Sequence, residues 1–316
     1  MHYRSLGSSG LKVSAIGLGS WLTIGAAVDD RGSHDLVAHA FERGVNLFDT
    51  ADVYNRGEAE RALGQAIREL PRNRLVLATK CYFPMSDDAN DRGLSRKHMH
   101  ESLKASLRRL GTDYVDLYQC HRFDDETPLR ETALAMHDLI QQGHALYWGV
   151  SMWPAERIAE VVALCRAEGW HVPISNQPLY NLYRRDIEAA VVPTSRREGL
   201  GQLVYSPLAQ GVLTGKYRPG ETPPANSRAT DRAGAQFVGR YMSEPHLEQA
   251  QRLVALAERY DLTATQVALA FCLRHPGVSA VLVGARDRRQ LDDNLSALEV
   301  TLSAECLDEL DAIFPA

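Results

Sequence analysis

Short runs of apolar residues alternate along the chain with stretches in which apolar residues recur every three or four positions. The runs are typical of parallel strands that are covered on both faces, and the stretches predict helices with one apolar face. We predict strands over residues 15–19, 46–49, 75–80, 114–121, 145–151, 174–177, 202–206 and 280–284. We predict helices over residues 33–44, 58–70, 97–110, 129–142, 155–168, 186–198, 247–260, 264–274 and 289–296.

Most of these strand–helix units take about 30 residues, the length of one step from a strand through a helix to the next parallel strand. Eight such units predict an α/β fold, a closed (β/α)8 or TIM barrel, with no linker that would divide residues 1–316 into several domains. A Gly/Ser turn within residues 3–13 predicts an N-terminal β-hairpin, and residues 303–313 predict an extra C-terminal helix. Segment 217–243 shows no periodicity, and a loop of that length is usually functional or mobile.

Composition narrows the class of protein. The 316 residues carry a net charge of -5 without a block of Lys or Arg, which argues against a nucleic-acid partner. Five cysteines, none in CxxC spacing, indicate reduced thiols, and no apolar run is long enough for a signal core or a bilayer. We therefore expect a cytoplasmic protein without a membrane partner. His98 and His100 are two positions apart on a predicted helix and do not face each other, so we predict no metal.

Four groups that can move or hold protons lie at or just beyond the ends of predicted strands: Asp49, Tyr54, Lys80 and His121. The carboxyl ends of barrel strands meet at one face, so these side chains are expected to converge into a proton-delivering site. Taken singly, each has a plainer interpretation. Tyr54 could be a rim aromatic, Lys80 a structural partner of Asp49, and His121 a ring packed under Phe123.

A dinucleotide site of the Rossmann type is not indicated. Gly17-Leu18-Gly19-Ser20-Trp21-Leu22 begins like the glycine fingerprint but lacks its third glycine. Any dinucleotide must therefore be held in another way.

The ordered motifs of the chain resemble those of the aldo-keto reductase superfamily, and most resemble its bacterial group related to the β subunits of voltage-gated potassium channels. The similarity includes Asp49-Thr50-Ala51 with Tyr54, Thr79-Lys80, His121, Gly149-Val150-Ser151, Asn176-Gln177-Pro178 and Tyr205-Ser206-Pro207-Leu208. It implies an NADPH-dependent carbonyl reductase on a (β/α)8 barrel, formed by residues 1–316 as a single domain. In that interpretation Tyr54 donates the proton, Lys80 lowers the pKa of Tyr54, Asp49 neutralises Lys80, and His121 orients the carbonyl oxygen.

The resemblance also implies which residues hold NADPH/NADP+. Tyr205 would stack on the nicotinamide, Ser151 and Gln177 would hold its carboxamide, and Lys216 would face the pyrophosphate. The remaining predicted cofactor contacts are Ser20, Trp21, Asp49, Ser206, Pro207, Leu208, Ala209, Gln210, Gly211, Arg228, Gly284, Arg286, Gln290, Asp293 and Asn294. Arg286 stands where the related group usually has serine, which favours a 2′-phosphate, although a solvated charge run is the alternative. Met152 stands where an arginine is common, so one polar contact in the pocket is expected to be lost.

Aromatic side chains on loops after the strands predict a pocket for an apolar or aromatic carbonyl substrate. Its predicted lining is Trp21, Tyr54, Tyr82, Phe83, His121, Phe123 and Trp153.

Two functions remain open from the sequence. The first is a working reductase for aldehydes or ketones. The second is a regulatory NADP(H)-sensing subunit with slow turnover, as in the channel β subunits that the chain resembles. Those subunits carry asparagine where this chain has His121, and we expect no N-terminal extension of the kind that plugs a pore. The sequence leaves the physiological substrate and a homo-oligomer open.

Overall fold

Eight parallel strands close into a barrel in the computed structural model, which describes residues 1–225, 227–231 and 234–315. An N-terminal antiparallel hairpin precedes the barrel and consists of β1 (Tyr3–Ser5) and β2 (Lys12–Ser14). The barrel strands are β3 (Ile16–Gly19), β4 (Leu47–Asp49), β5 (Val76–Cys81), β6 (Val115–Cys120), β7 (Ala145–Ser151), β8 (Ser175–Gln177), β9 (Gly201–Tyr205) and β10 (Val278–Val283). Each pairs in parallel with its neighbours in chain order, and β10 closes on β3. The predicted TIM barrel and hairpin are confirmed.

Helices surround the barrel. Within the described residues they are α1 (Asp30–Glu42), α2 (Glu58–Ile67), α3 (Arg96–Leu110), α4 (Leu129–Gln141), α5 (Ala155–Glu168), α6 (Val191–Glu198), α7 (Ala235–Val238), α8 (Glu244–Arg259), α9 (Ala264–Leu273), α10 (Arg288–Leu295) and α11 (Ala304–Ile313). The last of these is the predicted C-terminal helix, and it packs against α8. In these ranges no helix combines the length and the apolar content that a bilayer crossing needs.

Capping and proline chemistry account for the helix boundaries that periodicity alone misplaced. Helix α1 begins three residues earlier than predicted because the side chain of Asp29 caps it, accepting a hydrogen bond from the backbone of Gly32. The predicted helix 186–198 instead consists of a short 3-10 turn and α6. Pro193 lacks a backbone N–H and is tolerated only in the first turn, so the helix starts at Val191.

The interior of the barrel has an apolar lower layer and a polar upper layer. Leu6 and Val13 of the hairpin pack with inward-facing residues near the start of the strands, among them Leu47, Leu117 and Leu203. The hairpin thereby closes the amino end of the barrel. The polar side chains buried toward the carboxyl ends of the strands are Asp49, Lys80, Gln119, Ser151 and Gln177. The fold therefore presents its chemistry at the carboxyl face, where barrels of this type hold their sites.

The segment without sequence periodicity contains short helical turns. Its described part contains α7 and a 3-10 turn, Gly239–Tyr241, and the side chains of Tyr217, Val238 and Tyr241 are buried. Its α7 part packs onto the carboxyl face, where Phe237 contacts Trp21, whereas most of residues 218–225 are exposed to solvent.

Candidate active site

Lys80 is the centre of the site. Asp49 pairs in register with Ala78, which places Lys80 one inward-facing position further along β5, above the carboxylate. The Lys80 Nζ donates to Asp49 Oδ2 at 2.6 Å and to the Thr50 carbonyl at 2.7 Å, and its third contact is the Tyr54 hydroxyl at 3.3 Å. Lys80 has no exposed surface. The predicted convergence of acid, ammonium and phenol is therefore present in the geometry.

The second oxygen of Asp49 is held by amides. Gln177 Nε2 donates to Asp49 Oδ1 at 2.8 Å, and Gln119 Nε2 approaches the same oxygen at 3.4 Å. Sequence reasoning missed Gln119, although it lies two positions before His121 and therefore faces the same side of β6. A polar residue at an inward-facing position of an otherwise apolar strand was the available signal.

Burial disfavours the charged forms of both Lys80 and Tyr54, so it acts to lower the pKa of Lys80 and to raise the pKa of Tyr54. Burial opposes the ammonium of Lys80, but the Asp49 carboxylate, with Tyr54, outweighs it and raises the pKa of Lys80 above its usual value. Burial also raises the pKa of Tyr54, and Lys80 offsets only part of that rise. Lys80 thus acts on Tyr54 in the direction predicted from the sequence, whereas the net direction differs because desolvation of the phenolate is the larger effect.

His121 lies beside Tyr54 as a neutral imidazole. The two rings meet edge to face with centroids 5.7 Å apart. Burial, followed by the charges of Lys80 and Arg122, depresses the pKa of His121 well below its usual value. Its Nδ1 is buried and has no hydrogen-bond partner among the described residues. A neutral ring in this position can donate one N–H bond to a bound oxygen.

Aromatic rings form the walls around these groups. Trp21 lies 6.5 Å from Tyr54, and Phe237 of α7 packs edge-on against Trp21 at 4.6 Å. Phe83 contacts His121 at 4.9 Å and Tyr82 at 5.3 Å. Phe237 could not be singled out from the sequence, because it belongs to the segment without periodicity.

Phe123 and Trp153, both predicted to line the pocket, differ in how far they are exposed. Phe123 is partly exposed toward the opening, whereas Trp153 is 1% exposed and packs edge-on behind it at 4.8 Å. Trp153 therefore supports Phe123 and contributes almost no surface of its own.

Backbone strain marks the same face. Seven of the eight non-glycine residues with positive φ in the described chain follow barrel strands at this end: Leu22, Asn55, Arg56, Met152, Ser206, Ala209 and Gln210. Such conformations are unfavourable for side chains other than glycine and concentrate at functional sites. Asn55 and Arg56 come directly after Tyr54, and the Asn55 amide is tied to the Gly25 carbonyl at 2.6 Å.

Three cations converge beyond the aromatic walls. The pKa of Lys216 is lowered because neighbouring atoms desolvate it and because Arg228 and Arg286 repel it. Burial and Arg286 likewise lower the pKa of Arg228. The Lys216 ammonium lies over Gly211, where a Cβ would come within 2.9 Å of Nζ. Repelling cations beside a bare stretch of backbone fit a ligand that carries several negative charges, as the phosphates of NADPH do.

Two of these cations contact side chains of the protein. Arg286 lies 3.8 Å from the Asp231 carboxylate, and Arg228 donates to the Gln210 side chain. The helix predicted after β10 is α10. Its first turn is capped by Asp287, which accepts from the Gln290 N–H at 2.8 Å, so that donor is already used.

The other predicted cofactor residues line one arc of the barrel mouth. Ser20 donates to Thr50 at 2.9 Å, and Ser151 donates to the Gln177 carbonyl at 2.8 Å. Tyr205 is partly exposed at the end of β9, and Gln210 Nε2 donates to the Ser206 hydroxyl at 2.6 Å. The rest follow β9 or β10: Pro207, Leu208, Ala209, Gly284, Asp293 and Asn294.

A second buried polar cluster lies behind the β4–α2 segment that carries Tyr54. Asp52 has no exposed surface, and Ser102 of α3 donates to it at 2.8 Å. Nearby, Glu60 is equally buried and receives bonds of 2.6 Å from both Thr79 and Arg109. Burial and the charge of Glu60 raise the pKa of Asp52 to about 7. Neither carboxylate was expected from the sequence to be buried.

Comparison with known proteins agrees with this geometry. A sequence model of the Aldo/keto reductase family matches residues 15–314. A probable voltage-gated potassium channel subunit beta of Arabidopsis thaliana is 39% identical over 99% of this chain and 96% of its own length. A protein with the same description from Oryza sativa subsp. japonica is 40% identical over the same shares.

Proposed function

The chain belongs to the aldo/keto reductase family, and from this we propose that it reduces aldehydes or ketones to alcohols with NADPH, using Tyr54 as proton donor. Family membership implies an oxidoreductase. The proposal that Tyr54 is the proton donor is supported by the contact of one buried ammonium, Lys80, with both the Asp49 carboxylate and the Tyr54 hydroxyl.

The side chains provide what carbonyl reduction requires. When bound, NADPH supplies the hydride that adds to the carbonyl carbon. The carbonyl oxygen gains negative charge as this happens, and the Tyr54 hydroxyl gives it a proton. The Lys80 ammonium, 3.3 Å from the phenol oxygen, stabilises the phenolate that is left. Asp49 keeps Lys80 charged in a buried position, and the neutral His121 orients the carbonyl by hydrogen bonding.

We further propose that the arc from Ser20 to Asn294 holds the cofactor. Lys216, Arg228 and Arg286 suit the phosphates, because their mutual repulsion is relieved by a bound polyanion. Tyr205 offers a ring for stacking beside the catalytic groups. Trp21, Phe83 and Phe123 would then enclose the substrate on the other side.

The decisive variant is Tyr54→Phe. It removes the proton donor and leaves the ring in place, so we expect kcat for aldehyde reduction to fall by about 100-fold or more. NADPH affinity, measured by fluorescence titration, should change little, because the phenol acts mainly in the transition state. Tyr114→Phe is the matched control, since Tyr114 precedes β6 at the opposite end of the strand from His121. Equal loss of cofactor binding in Tyr54→Phe would show that Tyr54 has another role.

A second candidate is an NADP(H)-binding regulatory subunit with slow turnover. The names of the two plant relatives favour it. His121 favours the enzyme, since the channel subunits that the sequence resembles carry asparagine there. Steady-state NADPH oxidation with a panel of aldehydes and ketones separates the two. Turnover at background for every compound, with tight NADPH binding, would support the regulatory role.

A further inference from the structure

Arg122 places a positive charge at the mouth of the proposed substrate pocket. It follows His121 directly, and its Nη1 donates to the His121 carbonyl at 2.5 Å. The guanidinium carbon lies 5.3 Å from the centre of the Phe83 ring, whose own centre is 4.9 Å from that of His121. The guanidinium and the imidazole that faces the carbonyl position therefore both contact the same aromatic ring.

This guanidinium has no carboxylate partner within 4 Å among the described residues. Acidic residues do follow it, but Asp124 is engaged by the Leu94 N–H and the Thr127 hydroxyl, each at 2.7 Å. Asp125 and Glu126 are exposed to solvent. A partly buried arginine has five N–H donors in a planar fork, and four of them remain for a ligand after the bond to His121.

A nearby arginine shows the contrasting, structural arrangement. Arg157 stacks on Phe123 at 4.7 Å, yet its guanidinium is paired with Glu160 at 2.7 Å. Both arginines therefore cover an aromatic wall of the pocket, and only Arg157 has its charge balanced by the protein. The charge of Arg122 also acts inward: it adds to the effects of burial and Lys80 that lower the pKa of His121, and it offsets part of the rise that burial causes in the pKa of Tyr205.

We propose that Arg122 binds an anionic group of the substrate, so that the protein prefers aldehydes or ketones carrying a carboxylate about one aromatic ring away from the carbonyl. The spacing follows from the Phe83 ring, which contacts both the Arg122 guanidinium and the His121 imidazole. The planar fork of arginine matches a carboxylate through two parallel hydrogen bonds. This specificity rests on the proposed reductase function.

The test compares two aldehydes that differ in charge. The ratio of kcat/KM for 4-carboxybenzaldehyde to that for methyl 4-formylbenzoate is measured with NADPH in the wild type, Arg122→Gln and Arg157→Gln. We expect the wild type to favour the acid about tenfold, the effect of a partly exposed charge-assisted bond. Arg122→Gln should bring the ratio close to one, mainly through the KM of the acid, and Arg157→Gln should keep the wild-type ratio. A wild-type ratio near one, or an unchanged ratio in Arg122→Gln, overturns the proposal.

A binding measurement separates this proposal from the reductase proposal. Calorimetric titration of the NADP+-loaded protein compares 4-(hydroxymethyl)benzoate with its methyl ester, and it needs no turnover. Tighter binding of the acid that is lost in Arg122→Gln supports the anion site even if no aldehyde is reduced. Equal binding of acid and ester overturns it, even if both aldehydes are good substrates.

Discussion

Asp52 makes a quantitative prediction about stability, because it is a carboxylate buried next to another carboxylate. Its oxygens accept bonds from the Ser102 hydroxyl and the Val53 N–H, at 2.8 and 2.6 Å. These bonds favour the charged form, but burial and Glu60 outweigh them and raise the pKa of Asp52 from 3.8 to about 7. An acid whose pKa is higher in the folded state destabilises the fold when it ionises.

The sign and the size follow from linkage. Below the unfolded pKa of 3.8 the group is protonated in both states and has no effect. As the pH rises toward 7, the unfolded chain ionises and the folded chain resists. The resulting loss of stability is about 2 kcal/mol at pH 5 and about 4 kcal/mol at pH 8, at 1.36 kcal/mol per pKa unit.

Asp52→Asn mimics the protonated acid and removes this pH dependence. Urea unfolding followed by circular dichroism should therefore show the variant gaining roughly 2 to 3 kcal/mol relative to the wild type between pH 5 and pH 8. Comparing two pH values cancels any fixed difference in hydrogen bonding between Asp and Asn. Glu60→Gln is a second variant in the same cluster. It breaks the ion pair with Arg109 and should destabilise the protein by about 3 kcal/mol at pH 5. Because it also removes the charge that helps to raise the pKa of Asp52, the loss of stability should be smaller at pH 8.

A constant difference between Asp52→Asn and the wild type across this range would refute the reasoning. It would mean that Asp52 is ionised in the folded protein at pH 5, with Ser102 and the backbone sufficient to hold its charge. The same conclusion would follow if Asp52→Asn were destabilised increasingly as the pH rises.

Three further outcomes test the site. Arg286→Ala should weaken NADPH binding about tenfold and barely affect NADH binding. Arg288 pairs with Asp35, so Arg288→Ala should change the affinity for neither cofactor. An equal loss of affinity for both cofactors in Arg286→Ala would exclude a 2′-phosphate contact. Lys80→Met should abolish turnover and leave Asp49 buried without its cation, which should lower the free energy of unfolding by about 3 kcal/mol. Adding Asp49→Asn to this variant should restore the stability but not the activity. Because the pKa of His121 is depressed, its ring stays neutral through pH 6.5. The pH profile of kcat/KM in the wild type should therefore show no inflection near pH 6.5 that depends on His121, so replacing His121 with Asn should remove no inflection there.

The barrel was predictable from sequence because its strands are buried on both faces and its helices on one. That difference produces two distinct hydrophobic periods, and eight repeats of the unit leave few alternatives to closure. Helix ends were less predictable, because they depend on single side chains such as Asp29 and on the position of Pro193. The convergence of Asp49 with Lys80 was predictable for a topological reason: parallel strands end at the same face.

What the sequence did not provide were contacts that depend on packing between distant segments. Gln177 reaches Asp49 across the inside of the barrel, and Phe237 reaches Trp21 from a segment without any period. The burial of Asp52 depends on α3 covering it through Ser102. Each of these requires knowledge of which surfaces meet, and a pattern along one strand or helix does not contain it.

The direction of the Tyr54 pKa shows how such packing changes the chemistry. Sequence reasoning considered the charge of Lys80 alone and expected a lowered pKa, but burial of the phenol raises it. A proton donor must begin the reaction protonated, and burial maintains that form. The ammonium of Lys80 becomes most favourable only when the proton has left and the phenolate has formed. In the proposed reaction, burial and the ion pair therefore act at different stages: burial keeps the proton on Tyr54 in the ground state, and the ion pair lowers the energy of losing that proton in the transition state.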